Sequence, residues 1–386
     1  RQMCIRDSSR PEGTTSQADA VPARYRHGSP AELVADMEAL VGAENVHGRL
    51  SDLVRFSSDA GPYRSIPQIV VSPRNAADLS ALMAYCDANN RHMTFRAAGT
   101  SLNGQAMSDD ILVDVKTHFT GMEVRNGGTK LWSRPGVLLG DAQAVLSRHG
   151  FMLGPDPGST SVCTIGGVLA DNSGGMRCSL ERDSYHSIEE LVFVLPSGTI
   201  VDTARGDDAF RKQEPKLHAD LLAFRDRLRA NTEMVEFLRT KFSIRNTNGL
   251  RIDAFLDEDE PVHILKRLLI GSEGIFGAIT ESVMRTVKLP RVKATTWVEL
   301  PNLRDAANFV HPIMETGAEA CELLVAPVMR RSAEHYSHAP ASWRTLDDNA
   351  AALLVEIGGG DENELNQAME RLRTVLADAP LRRPLE

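Results

Sequence analysis

Met93–Ala106 reads MTFRAAGTSLNGQA. A short run with strand character, Met93-Thr94-Phe95, leads into Arg96 and then into small residues: Ala97, Ala98, Gly99, Thr100 and Ser101. Asn103, Gly104 and Gln105 complete the stretch. Small residues directly after a strand let the backbone turn sharply and approach a ligand closely. Successive N–H groups in such a turn form an anion-binding nest, and the hydroxyls of Thr100 and Ser101 add donors. The functional reading is a loop that receives a phosphate-bearing cofactor. The plain reading is a Gly/Ser turn, which in isolation is the commoner case.

Two further glycine clusters shift that balance. Gly154–Gly175 reads GPDPGSTSVCTIGGVLADNSGG, and Leu269–Thr280 reads LIGSEGIFGAIT. The chain contains neither Gly-x-Gly-x-x-Gly nor Gly-x-x-x-x-Gly-Lys-Ser/Thr, so the Rossmann and P-loop fingerprints are absent and a different nucleotide fold is implied. The three segments, in this order, resemble the FAD-binding domain of the vanillyl-alcohol oxidase/PCMH flavoprotein superfamily. Within it the chain is most similar to the D-lactate and D-2-hydroxyglutarate dehydrogenase branch, from about Tyr63 to about Glu356. The resemblance implies an α+β fold: a PCMH-type FAD-binding domain of two subdomains, followed by part of a ferredoxin-like α+β cap that faces substrate.

The chain's 386 residues have room for two or three domains. Hydrophobic residues at 42% and charged residues at 25% are ordinary for a soluble globular protein. Apolar runs such as Leu191–Leu195 fall far short of the ~18 residues of a membrane span. A net charge of −9 argues against non-specific nucleic-acid binding, which wants a basic surface. The five cysteines, Cys4, Cys86, Cys163, Cys178 and Cys321, are widely spaced without a C-x-x-C pair. Reduced thiols and a cytoplasmic location are expected, with no metal or iron–sulfur site.

Residues 1–28 carry no periodic apolar pattern and no secretory h-region, and are expected to form a disordered or non-native tail. Ser29 and Pro30 read as N-cap and N1 of a helix bearing Leu33, Val34, Met37, Leu40 and Val41. Strand Ile69–Val71, a helix capped by Asn75 and strand Met93–Phe95 follow. Ile188–Leu195 and Thr199–Asp202 read as a hairpin, and Pro215–Thr240 as charged helix. The FAD domain is expected over 29–290. After Pro290 the pattern becomes β-α-β…β-α, the start of a ferredoxin-like layer over 291–386.

The resemblance assigns the cofactor contacts. In the first loop Ala98, Gly99, Thr100, Ser101 and Gly104 would hold the pyrophosphate, flanked by Arg96 and Gln105. In the second, Pro155, Asp156, Gly158, Ser159, Thr164, Gly166, Gly167, Asn172, Gly174 and Gly175 would wrap pyrophosphate and flavin ring. In the third, Glu273, Gly274 and Ile279 would meet the nucleotide end. Some superfamily members attach flavin to a loop histidine; no His lies between Arg96 and Ala106, so non-covalent FAD is expected. Arg177, Tyr185 and His186 are read either as flavin or substrate contacts or as surface residues. Arg245 would bind a substrate carboxylate bidentately, or else form an exposed salt bridge. Cys163 is read as a small buried residue. His335 and His338 are read as surface residues in a polar loop rather than metal ligands.

The family's cap motif His-x-Gly-Asp-Gly-Asn-x-His is absent. The chain is therefore read as an N-terminal fragment, with catalytic base and metal site expected beyond Glu386 and an iron–sulfur cluster only in a missing C-terminal domain. The implied activity is hydride transfer from a D-2-hydroxy acid (D-lactate, D-2-hydroxyglutarate or glycolate) to flavin N5. Electrons would leave to an iron–sulfur domain, a quinone or another carrier. The competing readings are an oxygen-using alcohol or aldonolactone oxidase and a flavin-binding subunit inactive without a partner chain.

Overall fold

A computed structural model describes residues 21–246, 249–337 and 339–385. The first layer is a four-stranded sheet of β1 (Val46–His47), β2 (Ile69–Val71), β3 (Met93–Arg96) and β4 (Ile111–Asp114) in the order β1-β2-β4-β3. β2 and β3 both run parallel to β4, and β1 pairs antiparallel with β2. β2 and β4 are buried along their whole length, which is why both read as unbroken apolar runs rather than alternating ones. Helices Ala31–Val41 and Ala76–Ala88 bury Leu33, Met37, Leu79 and Leu82 against one face. Asn75 caps the second helix, its Oδ1 accepting from the Asp78 N–H at 3.0 Å.

Two expectations fail at the start of the chain. Residues 21–28 are not a loose tail: Tyr25 packs with Leu53, Val70 and Leu112 on the other face of the sheet and donates to the Ile66 carbonyl at 2.8 Å. Residues 1–20 lie outside the described residues. Ser29 does not cap the first helix; Pro30 holds the N-cap position, and the Ser29 hydroxyl donates to the Gln68 carbonyl at 2.6 Å.

The second layer is a five-stranded antiparallel sheet. It contains β5 (Met122–Arg125), β6 (Lys130–Ser133), β8 (Ile188–Val194), β9 (Ile200–Asp202) and β10 (Ala278–Arg285), in the order β5-β6-β10-β8-β9. β7 (Phe151–Met152) and β11 (Val287–Lys288) form a short ribbon beside it. The expected hairpin is β8–β9. The charged stretch expected as one helix is two, Pro215–Arg229 and Thr232–Phe242, because Asn231 starts a new N-terminus by accepting from the Met234 N–H. These helices and Pro261–Leu269 close a large core around Phe193, Leu169 and Ile264. Val194 and Ala278 pack into the first layer's core, joining the two sheets.

The third layer holds β12 (Val292–Leu300), β13 (Ala320–Val325) and β14 (Ala351–Gly359), all antiparallel neighbours in the order β12-β14-β13. Helices Leu303–Glu315 and Glu362–Val375 cover one face. That order is the first three strands of a ferredoxin-like sheet, with helix Ala326–His335 added between β13 and β14. His335 thus ends a helix rather than lying in a loop; His338 lies outside the described residues.

Candidate functional site

The three glycine-rich loops converge where the first two layers meet. The first leaves β3 at Arg96. Its guanidinium turns away from the loop's open side, Nη1 donating to the carbonyls of Ser58 at 2.8 Å and Phe56 at 3.2 Å. Gly99, at φ 69°, packs so closely on this guanidinium that a Cβ would lie 2.5 Å from Nη2. Arg96 is therefore a clamp that shapes the loop. Gln105 and Ser101 are hydrogen-bonded to each other across the turn.

The second loop passes Pro155–Gly158 and enters helix Ile165–Asp171 at Thr164. The Gly166 N–H donates to the Pro135 carbonyl at 2.9 Å, which seats the helix start against the end of β6. Thr164 is 1% exposed, and its Oγ1 has no hydrogen-bond partner among the described residues. A buried polar atom without a partner is rare enough to require one from a ligand or water. Asn172 ends the helix in the left-handed region at φ 51°. Its side chain donates to Asp183 Oδ2 and accepts from the Tyr185 N–H, and so ties the turn to the segment that follows it.

The third loop hooks onto the end of the same helix. The Gly271 N–H donates to the Leu169 carbonyl and the Glu273 N–H to the Ala170 carbonyl, at 3.0 and 2.8 Å. The second bond occupies a carbonyl of the helix's last turn, and the first shares the Leu169 carbonyl with the Asn172 N–H, which reaches it at 3.2 Å. They also place the Glu273 carboxyl, on a left-handed residue at φ 55°, against Asp171. Burial, the Asp171 charge and the hydrogen bond between the two push Glu273 up to about 7.

Between the loops lies a cavity of about 390 Å³, within the ~300–1,000 Å³ span of small-molecule sites. The expected residues that line it are Ala98, Gly99, Thr100, Ser101 and Gln105 from the first loop, and Ser159, Thr164, Gly166, Gly167 and Gly174 from the second. Glu273, Gly274 and Ile279 line it from the third. Arg96, Gly104, Pro155, Asp156, Gly158, Asn172 and Gly175 are not among the lining residues. Several lining residues were missed: Pro135 and Val115 at strand ends, Phe95, Asp171 and Ser173. Asp171 had a readable signal, as the acidic residue just before the Asn172 turn.

Asp171 and Glu273 are the only Asp, Glu, Lys, Arg or His side chains in the described wall. A phosphate-bearing ligand would therefore be held by backbone N–H groups and by the hydroxyls of Thr100, Ser101, Ser159 and Thr164, with no side-chain cation. Phe95, Val115, Pro135, Val168, Leu269 and Ile279 give apolar wall for flat rings. The unpartnered Thr164 hydroxyl and this division into a donor-rich and an apolar part fit FAD.

The residues left with two readings resolve differently. Tyr185 is 1% exposed and donates to Asp257 Oδ2 at 2.8 Å; it is neither surface nor cavity wall. It carries the Arg251 guanidinium 3.6 Å above its ring, and Arg251 in turn bridges Asp183 and Asp253. The His186 Nδ1 pairs with Asp183 at 2.7 Å. Arg177 reaches the third layer, with a bidentate bond to Glu356. Cys163 lines the cavity as a buried thiol raised by burial, and Cys4 lies outside the described residues. Arg245 is exposed and lies on the second loop, Nη1 donating to the Gly175 carbonyl at 2.9 Å. Among the described residues no group of three or more His, Cys, Asp or Glu could hold a metal, and no helix is long and apolar enough to cross a membrane.

Comparison with known proteins agrees with this geometry. Residues 67–204 match the FAD binding domain family, and residues 289–383 match the C-terminal domain of FAD linked oxidases. Glycolate oxidase subunit GlcD of Bacillus subtilis is 26% identical over 71% of this chain and 48% of its own length. The D-2-hydroxyglutarate dehydrogenase of Escherichia coli is 24% identical over 83% of this chain and 33% of its own. The mitochondrial D-lactate dehydrogenase [cytochrome] 1 of Saccharomyces cerevisiae is 23% identical over 89% and 52%. The chain thus spans between about a third and about half of these relatives. An alkyldihydroxyacetonephosphate synthase structure superposes with a TM-score of 0.65 at 15% identity, over 92% of this chain and 61% of that one, a likeness of fold. With both matched domains in their order and the cavity between the three loops, the chain belongs to the FAD-linked oxidases.

Proposed function

We propose that this protein is a FAD-dependent oxidoreductase that oxidises a D-2-hydroxy acid, with D-lactate, glycolate and D-2-hydroxyglutarate as the candidate substrates. The names of the relatives support that substrate class. Arg245 is the observation in this chain that carries it. Its guanidinium presses on Gly174, a cavity residue, and among the described residues Nη1 donates to the carbonyls of Gly175 and Cys178. An exposed cation beside the wall suits a substrate carboxylate. FAD, when bound non-covalently, supplies the hydride acceptor at its ring N5.

The chain's own residues bind and orient. The loop hydroxyls and N–H groups would hold the phosphates, the apolar wall would exclude water from the ring, and Arg245 would bind and orient the substrate carboxylate. The working division of labour is 29–290 for cofactor and 291–386 for the substrate side. A further carrier, such as an iron–sulfur domain or a quinone, would accept the electrons.

The test is anaerobic bleaching of the FAD-loaded protein by each D-2-hydroxy acid. Arg245→Ala is expected to raise KM more than it weakens FAD, and Arg245→Lys, which keeps a point charge, to recover part of the loss. Unchanged kinetics in both variants would remove Arg245 from substrate binding. Rapid reoxidation in air would favour an oxygen-using alcohol or aldonolactone oxidase. One relative is named as a subunit, glycolate oxidase subunit GlcD, and the second reading is a flavin-binding subunit that turns over only with a partner chain. Turnover restored by adding a relative's C-terminal portion in trans would support it.

A further inference from the structure

The turn Gly174–Met176 is held from three sides, and one of the three is the third layer. Gly174 lines the cavity and abuts the Arg245 guanidinium; a Cβ on Gly175 would overlap the Asp156 carbonyl and carboxylate. Asp156 accepts from the Arg177 backbone N–H at 3.2 Å with both carboxylate oxygens. The Arg177 side chain then leaves the loop altogether. Its Nε and Nη2 donate to the two oxygens of Glu356 on β14, at 2.8 and 2.7 Å. Glu356 is 13% exposed at its side chain and also receives Lys293 from β12 at 3.1 Å. These cations hold its carboxyl below the usual carboxylate range, the Arg177 hydrogen bond being the main cause. Five residues further along, Arg182 repeats the connection, donating to Glu319 at 2.5 Å.

We propose that Arg177 is a positioning residue for the cofactor: its two-toothed bond to Glu356 joins the seating of the third layer and the shape of the Gly174–Met176 turn into one equilibrium. A bidentate Arg–carboxylate pair fixes angle as well as distance. Arg177 carries both connections, its backbone N–H bound to Asp156 under the turn and its side chain to Glu356, so a displacement of β14 is passed to the turn through Arg177. Coupling between two sites is reciprocal in free energy. FAD in the cavity therefore tightens the layer on the loop as much as the seated layer tightens FAD. Glu356 does not line the cavity, and its direct link to the turn is the pair with Arg177.

FAD affinity, read by titration of flavin fluorescence, tests this in the wild-type chain, Arg177→Gln, Glu356→Gln and the double variant. Each single change is expected to weaken FAD about tenfold, within the range of allosteric couplings, and the double no more than either. Arg330→Gln is the control for general loosening, because it breaks the Arg330–Asp348 pair inside the third layer without touching the loop; its affinity should match wild type. Unchanged affinity in Glu356→Gln, or equal weakening in Arg330→Gln, overturns the proposal. Hydrogen exchange on the FAD-free protein gives a second readout. In Glu356→Gln the amides of 174–178 should speed up together with those of β14, and acceleration confined to β14 contradicts the coupling. A wild-type chain that binds no FAD would sink the cofactor reading, while the exchange result would still decide the clasp.

Discussion

The first and third loops and the far end of the second solve different problems. The first loop is shaped by its own neighbourhood: Arg96 clamps Ser58 and Phe56, and Gly99 sits on that clamp. The third is shaped by backbone bonds to the adjacent helix end. Both would keep their form with the third layer absent. The Gly174–Arg182 segment does not stand alone in this way: besides Asp156 and Arg245 close by, it is anchored to Glu356 and Glu319 of the third layer. The cradle for the nucleotide is thus built locally, whereas the part of the wall beside Arg245 is set by the layer assigned to the substrate side. A site divided in this way can hold its cofactor firmly and still register how the substrate layer is seated.

The sharpest way to break the local half is Gly166→Val. A Cβ there would lie 2.5 Å from Pro135 Cβ and 3.1 Å from its carbonyl, and the first turn of helix Ile165–Asp171 would have to move. Overpacking of about 3 kcal/mol corresponds to roughly a hundredfold loss of FAD affinity, readable by equilibrium titration. Unaltered affinity would mean that this helix start is no part of the cradle.

Thr164→Val is a gentler and more discriminating change. It replaces the unpartnered hydroxyl with a methyl of the same shape, so the FAD-free protein should melt at the same or a higher temperature. FAD affinity should fall by about tenfold, the worth of one hydrogen bond. A lower melting point together with unchanged affinity would show that the hydroxyl has an internal role instead.

The smallest effect concerns the acidic pair. Glu273 has a folded-state value raised to about 7, so between its unfolded value and 7 the native state holds the extra proton. Stability contributed by that proton is present at low pH and is lost as pH rises through about 7. The melting temperature of the FAD-free protein should therefore decline from about pH 5 to about pH 8, and Glu273→Gln should flatten that decline. A slope identical in both proteins would show that the pair does not share a proton.

How much of this was legible follows the same division. The β3-to-loop step, the glycine turns of all three loops, the Asn75 cap and the β8–β9 hairpin are local features, and short-range residue chemistry specifies them. What escaped reading is what pairs over distance. Tyr25 gives no sign of its bond to Ile66, 41 positions on, and Arg177 none of Glu356, 179 positions on. Arg96 was placed on the loop's ligand side because a strand-end arginine has no sequence mark for direction. The Asn172 and Asp156 side chains likewise accept from backbone N–H groups at a distance, those of Tyr185 and Arg177, 13 and 21 positions on.

The central claim is that the three loops form one non-covalent FAD site, and an absorption spectrum of the purified chain tests it most directly. The account predicts a flavin spectrum, present on isolation or restored by added FAD, whose chromophore passes freely into the filtrate once the protein is unfolded. A colourless chain with a folded circular dichroism spectrum that takes up no added FAD would contradict it, and so would a flavin that stays with the unfolded polypeptide.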